Sequence, residues 1–400
     1  MARRLAIPSE DVQLTIVGPT NFFKASRVQR VTFNADVPTT DVYELGNSSL
    51  AGTVQDVPNV TATFSAFDVG IKVFGTLAGK DITAFPAAGA SISDLGEADI
   101  VVDIQDAVSD DFAKAAHGKR LQVRDFSFSY SVDGESTEDY TLIGSKKRWF
   151  KNDVLVQRFT GAGPHILTYT PLVLKNGDYA LSVVLDGVYL EEHATPGTGQ
   201  YSINAGTKTV TLGDALSAQM LVVYATNPGG SPWIDVNDTT VPAAIRGRDV
   251  VVSISANEIP RVQNVTINGN LNVQPVKEMG EREITGYQAQ VPTVEGTITV
   301  LDTDTELISL LTTGTLSGAG VYEYEIGEQC PTSGVSLKVE LLDPCDTTSP
   351  YTILKTVYVD EIIPTGESWT SNINNNASQT WNWRSIHAHL VVYAGSGTSH

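Results

Sequence analysis

RVQRVTFNADVPTTDVYELGNSSLAGTVQDVPNVTATFSAFD, running from Arg27 to Asp68, returns from Arg261 to Asp302 as RVQNVTINGNLNVQPVKEMGEREITGYQAQVPTVEGTITVLD. Adding 234 to each number maps one stretch onto the other without a gap, and 15 of the 42 positions are identical. The shared residues include Arg27/Arg261, Thr32/Thr266, Asn34/Asn268, Glu44/Glu278, Gly46/Gly280, Gly52/Gly286, Pro58/Pro292, Thr63/Thr297 and Asp68/Asp302. A period this long marks a duplicated domain rather than a short solenoid repeat.

Each copy opens on an alternating strand. Val31, Phe33, Ala35 and Val37 share one face, and Thr32, Asn34 and Asp36 the other. The second copy sets Val265, Ile267, Gly269 and Leu271 against Thr266, Asn268 and Asn270. A sheet with one buried and one wet face requires this period of two. A second strand repeats it. Val60, Ala62, Phe64 and Ala66 alternate with Thr61, Thr63 and Ser65, and Val294, Gly296, Ile298 and Val300 with Glu295, Thr297 and Thr299. Pro58 and Pro292 stand where each strand begins and no ladder donor is needed. The connection between the two strands carries Glu44-x-Gly46 and Gly52, or Glu278-x-Gly280 and Gly286. It is far longer than a tight hairpin, and long ordered loops usually contact something.

Further strands are read on both sides. Asp11–Val17 and Asp249–Ser255 alternate ahead of the two copies. A short helix follows each copy. The first has Asp68 as cap and Ile71, Phe74 and Leu77 on one face, weakened by Gly70 and Gly75. The second has a capping box over Thr303–Glu306, an apolar stripe of Leu307, Leu310 and Leu311, and Gly314 as its stop. Strands then recur at 98–104, 120–124 and 126–130, and at 336–342, 352–359 and 387–393. Between the copies, Tyr179–Leu185, Val188–Leu190, Gln200–Ile203, Thr209–Leu212 and Met220–Tyr224 read as short strands separated by turn residues, a small immunoglobulin-like β-sandwich. Asn227–Pro232 is a linker by composition. The expected fold is mainly β. Residues 1–160 and 227–400 hold two tandem β-sandwich or barrel domains, each with a short helix, and residues 161–226 hold the intervening module.

A chain of 400 residues suits two or three domains. Its net charge of −20 argues against non-specific attraction to nucleic acid. The balance is −5 over residues 1–160, −3 over 161–248 and −12 over 249–400, so the second copy holds most of the acidity. Two cysteines, Cys330 and Cys345, exclude a disulfide scaffold, while a local bridge between them stays open. The start MARRLAIPSED is basic but lacks the apolar core of a signal peptide, and no run approaches the length of a membrane helix. The expectation is a soluble protein made in a cytoplasm.

No catalytic constellation has persuasive spacing: there is no G-x-S-x-G, no HExxH and no paired CxxC. Gly75-Thr-Leu-Ala-Gly79-Lys80 is one residue short of a P-loop, and Asp81 stands where Ser or Thr must bind magnesium. His387 and His389 share a strand face without a third ligand. Asp103, Asp106, Asp110 and Asp111 read as a solvated acidic loop rather than a cation site. Trp381 and Trp383, two apart in a strand, read as a packed face rather than a platform for sugars. No catalytic, cofactor-binding or metal residue is assigned, and no enzyme is expected.

The duplicated stretch resembles the tail tube proteins of long-tailed bacteriophages and archaeal tailed viruses. The resemblance rests on the alternating strand Arg27–Val37, the Glu44-x-Gly46 connection, the strand opening Pro58-x-Val60-Thr-x-Thr63 and the helix after Asp68, all repeated from Arg261 to Gly314. It covers most of residues 1–160 and 240–400 but not the middle module. It implies a sandwich-like β-barrel flanked by a helix, with some strands extended to line a tube. Typical members carry one such domain, six subunits form a ring, and stacked rings make the channel through which DNA leaves the head. Two domains per chain imply a homotrimeric ring with pseudo-sixfold symmetry. The implied location is the virion tail after synthesis in the host cytoplasm. The implied partners are further copies of the chain and the tape-measure, tail-terminator and distal-tail proteins, with viral DNA passing unbound and no membrane involved. On this reading Thr32, Asn34, Asp36, Thr61, Thr63, Ser65, Thr266, Asn268, Asn270, Glu295, Thr297 and Thr299 line the lumen. Glu44, Gly46, Gly52, Glu278, Gly280 and Gly286 contact the neighbouring ring. The module sits on the outer wall, because an insertion of its size cannot fit a bore. A rival reading, a β-sandwich adhesin or carbohydrate-binding surface protein, accounts for the module and the Trp pair but not for the wet-faced strands.

Overall fold

The alternating stretches form strands in a computed structural model that describes residues 12–25, 27–45, 49–68, 70–105, 112–151, 153–161, 163–216, 218–226, 244–301, 306–311, 334–346, 351–371, 373 and 376–395. The first part holds β1 (Val12–Val17), β2 (Phe22–Lys24), β3 (Val28–Asp36), β4 (Thr39–Val42), β5 (Gly52–Gln55), β6 (Asn59–Phe67), α1 (Lys72–Ala78), β7 (Ala90–Ser91), β8 (Glu97–Gln105), β9 (Phe112–Ser131), β10 (Thr137–Gly144) and β11 (Lys146–Phe150). The middle part holds β12 (Val154–Phe159), β13 (His165–Ile166), β14 (Leu181–Leu185), β15 (Val188–Glu192), β16 (Gln200–Asn204), β17 (Thr209–Leu212) and β18 (Met220–Ala225). The last part holds β19 (Val250–Ile254), β20 (Asn257–Glu258), β21 (Val262–Asn270), β22 (Gln274–Val276), β23 (Gly286–Gln288), β24 (Thr293–Leu301), α2 (Glu306–Leu311), β25 (Val335–Leu342), β26 (Ile353–Thr370), β27 (Ser378–Ser385) and β28 (Leu390–Ala394).

The first and last parts follow one pairing scheme. One layer runs β2–β1–β8–β9–β11 and the other β3–β6–β10–β9, so β9 belongs to both. In the last part the layers are β20–β19–β25–β26–β28 and β21–β24–β27–β26, with β26 shared. Stretches 120–124 and 126–130, expected as two strands, are therefore one. The shared strand changes layer where Arg120 (φ 54°) and Glu361 (φ 52°) take left-handed backbone. Adding 241 maps one onto the other. The same offset maps the bulge at Arg124, where Thr141 faces Asp125 and Leu142 faces Val123, onto Thr365 between Pro364 and Gly366. Arg27 (φ 57°) and Arg261 (φ 60°) match likewise at the offset of 234. Non-glycine residues rarely adopt this conformation, and bulges bend a strand at a fixed place, so matched outliers extend the repeat beyond the 42-residue stretch.

Apolar side chains between the layers form one cluster across both parts, with Phe64, Phe74, Phe128 and Tyr140 in the first and Ile298, Val357, Trp381 and Trp383 in the last. Helix α1 buries Val73, Phe74 and Leu77, and the Phe74 ring meets Phe126 edge-on at 5.6 Å. Its N-cap is Ile71, with no side-chain cap, so Asp68 does not cap it as expected; burial beside a cation draws that carboxylate into the core instead. Gly79 (φ 64°) closes the helix, so Gly75–Lys80 is a helix end rather than a phosphate loop. In α2, Leu307 and Leu311 are buried. Residues 303–305 and Gly314 lie outside the described residues.

The middle strands form one order, β12–β18–β14–β15–β16–β17–β13, with a parallel step at β15–β16. β12 starts at Val154, ahead of the expected boundary at 161. β14 and β18 are buried at every position. One face of each meets the module's own core, including Leu181, Val183, Val222 and Tyr224. The other face, through Val184, Leu221 and Val223, meets Val17, Val101 and Ala115 of the first part. A strand covered on both sides reads as an unbroken apolar run. No helix among the described residues is long and apolar enough to cross a membrane.

Candidate functional site

The two parts join edge to edge. The second half of β9 pairs antiparallel with β21, setting Ser129 opposite Thr266, Phe128 opposite Ile267, Ser127 opposite Asn268 and Phe126 opposite Gly269. This seam fuses the inner layers into one sheet, β3–β6–β10–β9–β21–β24–β27–β26. A second seam pairs β7 with β28, Ser91 opposite Val391.

One face of the sheet is dry and the other wet. Val60, Phe64, Phe128, Leu142, Ile267, Ile298 and Trp381 point into the core. On the opposite face one row runs Thr32, Thr63, Thr141, Asp125, Asn270, and another runs Ser129, Thr266, Thr297, Asn382, Gly366. All twelve residues expected at a lumen are on this face and none is buried. Asn34, Asp36, Asn268 and Glu295 are exposed, and Thr32, Thr61, Thr63, Ser65, Thr266, Asn270, Thr297 and Thr299 are half-buried. The sequence reading missed the contributions of β9, β10, β26 and β27, such as Ser127, Asp139, Ser368 and Thr380. The alternation FSFSYS at 126–131 was the signal for the first of these. Hydroxyl and amide groups bridge the strands. Ser127 Oγ donates to Asn268 Oδ1 at 2.7 Å, and the Thr266–Thr297 and Thr299–Thr380 hydroxyls lie 2.8 and 2.9 Å apart. Asp36, Asp125, Asp139 and Glu295 face outward here with Arg30 and Arg384, the latter directly opposite Glu295.

A buried ionic cluster ties the parts together beneath the seam. Lys355, fully buried on β26, places Nζ 2.8 Å from Asp68 and 3.7 Å from Glu138. Tyr130 donates its hydroxyl to Asp68 at 3.0 Å, and Tyr140 donates to Glu138 at 2.9 Å. The ammonium also lies 4.2 Å from the Phe128 ring centre. One cation serves two carboxyl groups. Burial, reinforced by Asp68 and opposed by Lys355, pushes Glu138 up to about 8. Glu138 thus holds its proton well above the ordinary carboxylate range, which spares the cluster a second buried negative charge.

The Glu-x-Gly connections fold as separate two-stranded arms, β4–β5 and β22–β23. The second arm lies on the first part: Ile284 N–H donates to Ser145 Oγ and Tyr287 Oη–H to the Ile143 carbonyl, both at 3.0 Å, and Lys277 pairs with Asp56 at 3.0 Å. The strands of the first arm are exposed at every position, and its tip carries Tyr43 and Leu45 in solvent. Glu44, Gly52, Glu278 and Gly280 are exposed and Gly286 is half-buried; Gly46 lies outside the described residues.

The remaining motifs assemble no chemistry. His387 and His389 are exposed and lie 3.3 Å from Glu361 and 3.9 Å from Asp360. Asp103 is buried, while Asp106, Asp110 and Asp111 lie outside the described residues. Cys345 is exposed and Cys330 lies outside them. Trp381 and Trp383 are each 1% exposed, so their rings are core and closed to a sugar. Among the described residues no three His, Cys, Asp or Glu side chains converge to hold a metal ion. No protein-family model and no curated protein matches the chain.

Proposed function

We propose that the protein is a structural component of a viral tail tube. Three chains, each with two tandem tube domains, form a pseudo-sixfold ring, and stacked rings enclose a channel for DNA. The observation that carries this reading is the continuous wet-faced sheet made by joining two repeats head to tail. A head-to-tail contact repeats until it closes or forms a filament, and closure leaves no exposed edge. Three copies of the eight-stranded sheet give twenty-four strands. At ~4.8 Å per strand the circumference is roughly 115 Å before tilt, hence a backbone diameter near ~37 Å; a side-chain layer of ~5 Å on each wall leaves a bore of about 27 Å, wide enough for duplex DNA.

The wet face suits such a bore. Thr, Ser and Asn side chains with more carboxylates than guanidiniums give phosphates little to bind, so DNA slides. The arms supply contacts between rings, through exposed Tyr43, Leu45 and Met279. The middle module, read as an immunoglobulin-like domain, decorates the outer wall, and tape-measure, terminator and distal-tail proteins bound the tube. The adhesin alternative loses the Trp pair, which is buried. Negative-stain microscopy of the concentrated protein tests the reading: rings or tubes are expected, and monomers that bind a glycan array would replace it with the adhesin.

A further inference from the structure

We infer that subunits join by pairing the Gly366–Thr370 end of β26 with β3 of the next copy, in the register already drawn by the internal β9–β21 seam. β21 is β3 displaced by 234 residues, and the end of β26 is the end of β9 displaced by 241. Among the described residues, the Ile363–Thr370 end of β26 has one strand neighbour, β27, and β3 has one, β6. Each is the counterpart of a strand that has two. Transferring the internal register places Thr370 opposite Thr32, Trp369 opposite Phe33, Ser368 opposite Asn34, Glu367 opposite Ala35 and Gly366 opposite Asp36 of the next copy.

The side chains fit that register. Phe128 and Ile267, at the internal seam, are 0% exposed. Their counterparts Trp369 and Phe33 are 57% exposed and half-buried. The Ser127–Asn268 hydrogen bond has its own residue types at the outer edges, Ser368 and Asn34. At the internal seam Phe126 covers Gly269, where a Cβ would meet its ring at 2.3 Å. The outer pair relaxes both sides together, with Glu367 for Phe126 and Ala35 for Gly269. The arms agree. The second arm lies on Ser145 and the Ile143 carbonyl, whereas the exposed first arm would lie on the matching segment of the neighbour, Arg384 to Ile386.

The partner is therefore a second copy of this chain. The inference rests on the proposed ring only for closure at three. Leu271 N–H donates to the Arg124 carbonyl, so alternation makes Ser127–Asn268 a non-hydrogen-bonded pair, the closely spaced kind that admits a disulfide. The test places Ser368→Cys and Asn34→Cys in full-length protein carrying Cys330→Ser and Cys345→Ser, concentrated and mildly oxidised. Loss of the monomer band to disulfide-linked dimer and trimer is expected. The off-register pair Ser368→Cys with Asp36→Cys should keep its monomer band. Rings in the microscope without the on-register cross-link would overturn the seam and leave the tube standing. Cross-linked open chains without rings would support the seam and overturn the ring. Monomers without cross-link would overturn both.

Discussion

β3 and β21 share five of nine residues and the same alternation, yet they are buried differently. Val265, Ile267 and Leu271 are buried, whereas Val31 and Phe33 are half-buried and Val37 is 42% exposed. The difference is the neighbour: β21 lies between two strands and β3 beside one. The ends of β9 and β26 repeat the lesson, since Phe126 and Phe128 are core while their counterparts Glu367 and Trp369 are half-buried and exposed. An apolar alternation specifies a face; whether that face is dry depends on what pairs with it.

The largest expected effect separates the internal seam from its open counterpart. Lys355→Ala leaves the buried Asp68 without its cation, and denaturant titration should show a loss of about 3–5 kcal/mol. The residue at its repeat position is Lys114, which lies 5.1 Å from the exposed Trp149 ring, and Lys114→Ala should cost under about 1 kcal/mol. Equal losses would erase the distinction. Next in size, Gly269→Pro removes a ladder donor at a central strand and should destabilise the monomer by about 3 kcal/mol. Ala35→Pro, at the same register position on the open edge, should leave monomer melting unchanged and abolish assembly. Assembly of that variant would show that β3 is not the joining edge.

A pH series probes the cluster beneath the seam. Glu138 holds its proton in the folded chain up to about 8 but loses it in the ordinary carboxylate range when unfolded. Its stabilisation is therefore complete in acid and is lost as pH rises toward about 8. Stability should fall over that window in the native chain and less in Glu138→Gln, which installs the residue found at the repeat position, Gln379. Identical slopes would remove Glu138 from the account. The smallest effect on the fold is expected from deleting Gly46–Gly52: monomer melting should be unchanged while tubes shorten, and full-length tubes would free the first arm from any contact between rings.

The wet and dry faces of β3, β6, β21 and β24 were legible because a period of two survives in every one of them. The buried cluster was not. Lys355 sits in the apolar run Ile353–Val359, and its partner Asp68 is 287 residues away, so no local pattern announces the pair. Asp68 looked like a helix cap because caps and buried anions use the same residue type. β9 looked broken at Asp125, between 120–124 and 126–130, because the bulge at Arg124 shifts the period of two between Val123 and Phe126, yet the strand runs on through it. The module's first strand was assigned to its neighbour because β12 pairs with β18, across most of the module.

A cryo-electron reconstruction of the assembled protein should show rings of three chains, nearly sixfold in outline, with Thr63 and Thr297 facing a water-filled bore and Ser368 of each chain against Asn34 of the next. Rings that bury Thr63 and Thr297 in a dry contact, or a protein that stays monomeric at high concentration, would contradict the proposed tube.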